Sequence, residues 1–149
     1  MIVSATTSDA KLLTEIAVQS KGFWGYSKEL LSSWKEELTV TETIISKMIV
    51  FKYLINNQII GFYILQIINP QKAELEFLFI APKFIGKGIG SQLLKHATIK
   101  ANELKIVSLF VLSDPNAVAF YKNNGFVTVA KKQSTIAGRF LPVMQKDLA

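Results

Sequence analysis

The sequence predicts an α/β fold: a central sheet of mixed, mostly antiparallel strands flanked by helices. Segments of strand-like alternation and segments of helical periodicity succeed one another along the chain. Two strand-like segments near the middle are joined by a short turn, as in a hairpin. A strand-like segment, a glycine-rich loop and an amphipathic helix then follow one another over residues 73–104, which predicts a crossover between two parallel strands.

The first half of the chain predicts a strand, two helices and a hairpin. Ser8 and Ser27 stand where helix N-caps are expected. Asn56 and Asn57 form a plausible hairpin turn, and Gly61 predicts a bulge or a close backbone approach. The predicted elements are a strand over 2–5, helices over 9–20 and 28–38, a helical turn at 41–45, and strands over 48–55 and 58–68. The expected buried helix residues are Leu12, Leu13, Ile16, Ala17, Leu30, Leu31, Trp34 and Leu38.

The second half predicts the crossover and a pair of closing strands. Pro82 ends the central strand, Asp114 and Pro115 open a helix, and Gly125 follows its end. The predicted elements are strands over 73–81 and 105–112, helices over 91–104 and 114–123, and strands over 126–132 and 140–146. The expected buried stripe of the longer helix is Ile89, Leu93, Leu94, Ala97, Ala101 and Leu104.

Length and composition restrict the class of protein. The 149 residues suit one domain, residues 1–149, and 50% hydrophobic residues argue against disorder. The longest apolar run is too short for a membrane span, and the N-terminal residues lack a signal-peptide pattern, so we expect a cytoplasmic protein with no membrane partner. The chain has no cysteine and one histidine, which makes a metal site or a Ser-His-Asp triad improbable.

The positive charge lies in the second half of the chain. Residues 1–74 contain seven basic and seven acidic residues, whereas residues 75–149 contain ten basic and four acidic ones. The whole excess of six positive charges therefore accompanies the glycine loop, where it would attract an anionic ligand. The lysines are scattered rather than grouped with aromatic residues, so we expect no nucleic-acid partner.

The glycine loop is the strongest local signal. Gly86, Gly88 and Gly90 stand at alternate positions between the strand ended by Pro82 and a helix that starts near Ser91. A helix N-terminus preceded by flexible glycines presents backbone N–H groups and a positive dipole to a phosphate. The spacing fits neither the P-loop pattern nor the dinucleotide-binding fingerprint. A plain glycine-rich turn between strand and helix is the alternative interpretation.

Two segments resemble the GNAT (GCN5-related N-acetyltransferase) superfamily. Residues 85–90, Ile-Gly-Lys-Gly-Ile-Gly, resemble its acyl-coenzyme A loop, Arg/Gln-x-x-Gly-x-Gly, with Ile85 in place of Arg or Gln. Residues 113–127 resemble its second motif, Asn-x-x-Ala-x-x-Phe-Tyr-x-x-x-Gly-Phe, and carry Asn116, Tyr121 and Gly125. The order of elements is also similar to that of the GNAT fold, whose parallel strand pair splays apart at the acyl-CoA site.

The resemblance implies direct transfer of the acetyl group of acetyl-CoA to an amine. It assigns the diphosphate to the loop, the acyl carbonyl and pantetheine to the backbone of Phe79 and Ile80, the pantetheine or thioester to Asn116, and protonation of the leaving thiolate to Tyr121. The expected loop residues are Ile85, Gly86, Lys87, Gly88, Ile89, Gly90 and Ser91. Lys87 would add a charge there, or simply face solvent.

Glu74 and Glu76 are the candidates for the base that deprotonates the amine. Their spacing puts both on one strand face beside Leu78 and Ile80, and apolar neighbours raise a carboxyl pKa towards a base's working range. Glu76 is preferred because it is nearer the thioester end. Either carboxylate could instead be a solvated strand charge.

The acceptor amine, of a small molecule or a peptide, is not identified by the sequence. Trp24, Tyr26 and Arg139 are candidates for its pocket, although aromatic residues at such positions, Trp34 among them, are more often core. His96 is expected on an exposed helix face. A non-catalytic acyl-CoA-binding module and the transfer of a longer acyl chain are the alternative functions. An exposed edge strand in the C-terminal part offers a route to a homodimer.

Overall fold

The computed structural model describes residues 1–134 and 140–148. Arg139, a candidate for the acceptor pocket, therefore lies outside the described residues. The helices are α1 (Ala10–Gly22), α2 (Lys28–Ser33), α3 (Glu42–Lys47), α4 (Ile89–Glu103) and α5 (Val118–Asn123). The strands are β1 (Ile2–Ser4), β2 (Ile49–Ile55), β3 (Gln58–Asn69), β4 (Lys72–Ile80), β5 (Ser108–Leu112), β6 (Val127–Gln133) and β7 (Phe140–Asp147).

The strands form one seven-stranded sheet in the order β1-β2-β3-β4-β5-β7-β6. The pairs β1–β2, β2–β3, β5–β7 and β6–β7 are antiparallel, and β4–β5 is parallel. The parallel register joins Lys72–Glu74 to Ser108–Phe110, at the beginning of both strands. These observations confirm the predicted α/β class, the mostly antiparallel sheet and the parallel crossover through α4.

The chain forms two compact units. The first comprises Met1–Leu65 and Phe77–His96, and the second comprises Gln66–Glu76 and Ala97–Ala149. The strand β4 and the helix α4 each contribute residues to both units. The single domain expected over residues 1–149 remains a prediction. Among the described residues, no helix has the length and apolar character that crossing a membrane requires.

In the first unit, the start of the first helix differs from the prediction. Thr6, not Ser8, is the N-cap of a short 3-10 turn that runs into α1, and its backbone N–H donates to Asp9 Oδ2 over 2.8 Å. Asp9 also accepts from Lys52 Nζ at 2.7 Å, so a partly buried ion pair ties the turn to β2. Leu12, expected to be buried, is 51% exposed.

The other helix and turn signals of this unit are largely confirmed. Ser27 Oγ accepts from the backbone N–H of Leu30, so Ser27 caps α2 as predicted. The helix ends at Ser33, five residues before the predicted end, because Trp34 leaves the helical conformation. Asn56 and Asn57 have φ of 51° and 63°, the left-handed values that a tight hairpin turn between β2 and β3 requires.

In the second unit, β7 lies between β5 and β6. Leu109, Val111 and Met144 are buried in this part of the sheet. The exposed edge strand is β6, all of whose residues are exposed, rather than the last strand in the chain. Leu104, expected on the buried stripe of α4, is 47% exposed because the helix ends at Glu103 and Lys105 takes a left-handed φ of 65°.

Candidate functional site

The glycine loop of the first unit has the backbone shape expected of an anion cradle. A 3-10 turn over Pro82–Phe84 leads into the loop, and α4 begins at Ile89. Gly86 and Gly88 have φ of 84° and 80°, which side-chain-bearing residues adopt at a cost. A Cβ at either position would meet no atom within 4 Å, so conformation rather than crowding requires glycine there. The loop is therefore open on the side towards which these two Cβ atoms would point.

Of the remaining predicted loop residues, three belong to the first turn of α4 and two precede the helix. Gly90 and Ser91 belong to the first turn of α4, where backbone N–H groups have no partner within the helix. The side chain of Ile89 is buried and anchors the helix, so only its backbone can face a ligand. Ile85 is half-buried, and Lys87 is exposed, with Nζ 5.8 Å from the centre of the Phe84 ring. Lys87 thus brings a positive charge beside the loop.

The carboxyl end of β4 lies against β3. The backbone N–H of Ala81 donates to the carbonyl oxygen of Ile60 over 2.8 Å. The ring of Phe79 packs near Phe62 and Phe77, with centroid separations of 6.2 and 5.9 Å. The predicted acyl-binding residues Phe79 and Ile80 are thus held in a packed strand end that leads directly into the loop.

The two candidate bases, Glu74 and Glu76, lie two residues apart on β4, in the second unit. Partial burial of the carboxyl group, a hydrogen bond to Glu74 and repulsion from the Glu74 charge raise the pKa of Glu76 from 4.5 to about 8. The Glu76 side chain as a whole is exposed, so its desolvation comes from neighbouring atoms and not from a closed cavity. Glu74 lies in the last parallel residue pair of β4 with β5, and Glu76 lies two residues beyond that pair.

Tyr121 is buried in the second unit between two aromatic rings. The ring centroids of Phe120 and Phe126 lie 5.1 and 5.4 Å from its own. Burial first, and then the negative charge of Asp114, raise the pKa of Tyr121 above that of a free tyrosine. The phenol is protonated at neutral pH, as it would be at its ordinary pKa, and the upward shift strengthens its hold on that proton.

Asp114 is a residue whose role sequence reasoning missed. Its Oδ1 accepts from the backbone N–H and from Nδ2 of Asn116, over 2.8 and 3.0 Å. Asp114 thus orients the side-chain amide of Asn116, the residue predicted to bind pantetheine. Its negative charge also contributes to the raised pKa of Tyr121. The sequence Asp-Pro-Asn, a capping signal, gave the only hint of this arrangement.

The predicted acceptor residues of the first unit belong to two aromatic pairs. Trp24 is 45% exposed and packs edge-on against Phe23 at 5.1 Å. Tyr26 packs edge-on against the buried Trp34 at 4.9 Å, and Lys21 Nζ lies 5.5 and 5.0 Å from these two ring centres. Trp34 is therefore core, as expected, whereas Trp24 presents an apolar surface to solvent. Arg139 lies outside the described residues.

His96 is not on a fully exposed helix face, and this expectation was wrong. It is half-buried, its Nδ1 lies 2.7 Å from the hydroxyl of the buried Tyr63, and Phe51 packs against its ring at 4.7 Å. These contacts hold α4 on the first unit's sheet, which suits a structural residue. Within residues 1–134 and 140–148, no three side chains of metal-binding type lie together.

The mixed sheet, the parallel crossover and the glycine loop at the start of the crossover helix are the features that the resemblance to the GNAT superfamily implies. The sequence profile of the acetyltransferase (GNAT) domain matches residues 16–148. The chain therefore belongs to the GNAT acetyltransferase family. This confirms the resemblance drawn from the two motifs.

Solved structures agree with this assignment. PaiA N-acetyltransferase from Thermoplasma acidophilum, solved in complex with coenzyme A, is 25% identical, with a TM-score of 0.83 over 99% of this chain and 98% of that one. A GNAT acetyltransferase from Elizabethkingia anophelis with acetyl-CoA bound is 20% identical, with a TM-score of 0.73 over 99% and 97%. The ribosomal-protein-S18-alanine N-acetyltransferase from Escherichia coli is 20% identical, with a TM-score of 0.75 over 100% and 94%.

Proposed function

We propose that this protein transfers the acetyl group of acetyl-CoA directly to a primary amine of a small molecule or a peptide. The observation that carries the proposal is the open loop with left-handed Gly86 and Gly88 at the N-terminus of α4. Such a loop suits a diphosphate, since its N–H groups and the helix dipole favour negative charge. Family membership and similar proteins solved with coenzyme A or acetyl-CoA support the choice of cofactor.

In this proposal the loop backbone holds the diphosphate, and Lys87 adds a charge beside it. The missing side chain of an Arg or Gln at position 85 removes one donor but leaves the N–H groups in place. The backbone at the end of β4, at Phe79 and Ile80, would hold the acyl carbonyl and the pantetheine arm. The Ile80 N–H, which points away from β3, would stabilise the negative charge that develops on the carbonyl oxygen. Asn116, oriented by Asp114, would bind the pantetheine.

Glu76 is the proposed base, and Glu74 its partner. An amine attacks only when neutral, so its proton must be removed at or before attack. A carboxyl group with a pKa of about 8 is partly ionised at neutral pH. Its ionised form is a far stronger base than an ordinary glutamate carboxylate. Glu74 supplies both the hydrogen bond and the repulsion that raise the Glu76 pKa.

Tyr121 is the proposed acid. Acetyl-CoA supplies an activated acyl group: the C–S bond breaks as the C–N bond forms. The amine proton passes to Glu76, directly or through water, and the departing sulfur takes a proton from the Tyr121 phenol. The proton is present at neutral pH because even an unshifted phenol has a pKa of about 10, and Tyr121 takes a proton back from solvent after the thiol has left.

Calorimetric titration with acetyl-CoA and coenzyme A tests the cofactor, and thiol release across a panel of primary amines tests the reaction. We expect micromolar binding of both ligands and turnover with at least one amine class. A protein that binds neither ligand at millimolar concentration would refute the proposal. The panel should contain polyamines, amino acids and peptides with free N-termini, which separates small-molecule acceptors from peptide acceptors.

A non-catalytic acyl-CoA-binding module is the second candidate. Ile85, in place of the family's Arg or Gln, is the observation that favours it. Tight binding of acetyl-CoA without thiol release from any amine would support the module.

A further inference from the structure

The strand β3 is irregular where it meets the end of β4. Tyr53 of β2 pairs with Gly61, but the next residue, Leu54, pairs with Ile59. Ile60 is therefore an extra residue, and β3 bulges there. The carbonyl oxygen of Ile60 accepts the N–H of Ala81 over 2.8 Å, so the bulge is bonded to the residue that follows β4.

Gly61 occupies a space that a side chain would have to share. A Cβ at this position would lie 2.9 Å from Ile80 Cδ1, 3.1 Å from the carbonyl oxygen of Phe79 and 3.2 Å from Leu93 Cδ1. The φ of Gly61 is not left-handed, unlike those of Gly86 and Gly88. Crowding, and not backbone conformation, therefore opposes a side chain at position 61: an added Cβ would displace the Ile80 side chain and press on the Phe79 oxygen and on Leu93.

The crowded atoms belong to the part of the first unit assigned to the acyl group. The Phe79 carbonyl and the Ile80 N–H are in one rigid peptide plane, so pressure on that oxygen reorients that N–H. Leu93 lies in the second turn of α4, the helix that begins at the glycine loop. An added methyl group at position 61 would thus push on the strand end and the helix together.

We propose that Gly61 is a positioning residue for the acyl group: its missing side chain lets Ile80 and Leu93 close on β3 and fixes the peptide between Phe79 and Ile80. This rests on the proposed function, which assigns the backbone of Phe79 and Ile80, and the Ile80 N–H in particular, to the acyl carbonyl. Gly61 touches no ligand itself. It acts through the peptide plane whose orientation it permits.

The test compares the affinities of acetyl-CoA and coenzyme A, because coenzyme A lacks the acyl carbonyl. Calorimetric titration would be done on the wild type, Gly61→Ala, Ile80→Val and the double variant. Gly22→Ala is the matched control, since a Cβ there meets only Leu31 Cδ1, at an ordinary 3.5 Å. We expect Gly61→Ala to weaken acetyl-CoA relative to coenzyme A by roughly fivefold to tenfold, the effect of one poorly oriented hydrogen bond.

The Ile80→Val change removes the Cδ1 atom that position 61 would meet most closely. The effect of Gly61→Ala on the ratio of the acetyl-CoA and coenzyme A affinities should therefore be smaller when it is measured against Ile80→Val than against the wild type, whereas Gly22→Ala should keep the wild-type ratio. General destabilisation would lower the melting temperature without changing this ratio. The ratio is thus the readout that a merely structural role would leave unmoved.

The outcomes separate this inference from the function on which it rests. A wild type that binds neither ligand overturns both. A wild type that binds both, with an unchanged ratio in Gly61→Ala, overturns the role of Gly61 alone. If Gly61→Ala does not fold, the affinity ratio is compared between the double variant and Ile80→Val: a weaker relative affinity for acetyl-CoA in the double variant, which keeps the contact with the Phe79 oxygen, supports the proposal, and an equal ratio overturns it. A double variant as unfolded as the single one overturns it, because Ile80 would then not be the group that position 61 must admit.

Discussion

Replacement of Glu76 by Gln should change how the stability of the protein depends on pH. The pKa of Glu76 rises from 4.5 to about 8 on folding, so the folded state favours the protonated carboxyl group. Below about pH 4.5 the group is protonated in both states and has no effect on the pH dependence. Between that pH and about 8, only the unfolded state gives up the proton, so the free energy of unfolding falls as pH rises.

The size of this effect follows from the shift and the exposure of the side chain. A shift from 4.5 to about 8 corresponds to roughly 5 kcal/mol at 1.36 kcal/mol per unit, if the group were fully shielded from solvent. Because the Glu76 side chain is exposed, screening by water reduces the expected value to about 2 kcal/mol. For a chain of this size that is a difference in melting temperature of about 5 °C.

Urea denaturation of the wild type and Glu76→Gln at steps from pH 4.5 to 8.5 measures the effect. The two proteins should differ least at the acid end, and the variant should gain about 2 kcal/mol relative to the wild type by pH 8.5. Glu37→Gln makes the same chemical change at an exposed position outside β4, and so reports net charge alone. A constant difference between Glu76→Gln and wild type across this range would refute the assigned proton affinity.

Three further substitutions test the site and its support. Tyr121→Phe should lower the turnover number at least tenfold while leaving the dissociation constant of coenzyme A within about twofold; an unchanged turnover number would remove the phenol from the mechanism. Gly88→Ala should weaken coenzyme A binding about tenfold in a calorimetric titration, because alanine resists a φ of 80°; equal affinity would show that the loop does not hold the ligand. Tyr63→Phe removes the partner of His96 Nδ1, so chemical denaturation should show a loss of about 1 kcal/mol; wild-type stability would show that this bond contributes nothing.

The parts of the fold that depend on local chemistry could be predicted from the sequence. Asn56 and Asn57 tolerate left-handed backbone, and they form the predicted hairpin turn. The start of α1 could not be predicted in the same way. The carboxylate of Asp9 serves Thr6 three residues earlier and Lys52, which is 43 residues later. Only the folded chain brings Lys52 close to Asp9. The sequence alone therefore could not decide between Thr6 and Ser8 as the N-cap.

The candidate site shows the same division between local and long-range causes. Gly86 and Gly88 take a positive φ, which glycine permits and which a glycine loop led us to expect. Gly90, at the same spacing, lies within α4 and needs no special backbone, and the spacing alone could not distinguish it. The buried contact between His96 and Tyr63 escaped prediction because the two residues are 33 positions apart. The raised pKa of Glu76 was expected from its apolar neighbours, but Glu74 contributes to it as well.

The position of β7 between β5 and β6 has a consequence for synthesis. During translation β5 and β6 leave the ribosome before β7. Neither strand can form its backbone hydrogen bonds with β7 until Phe140–Asp147 has emerged. Until then the amides of β5 on that side and the whole of β6 have no strand to pair with, a condition that favours chaperone capture. A message broken before the codons for β7 would yield a product with two open strands, which cellular proteases can distinguish from the finished protein.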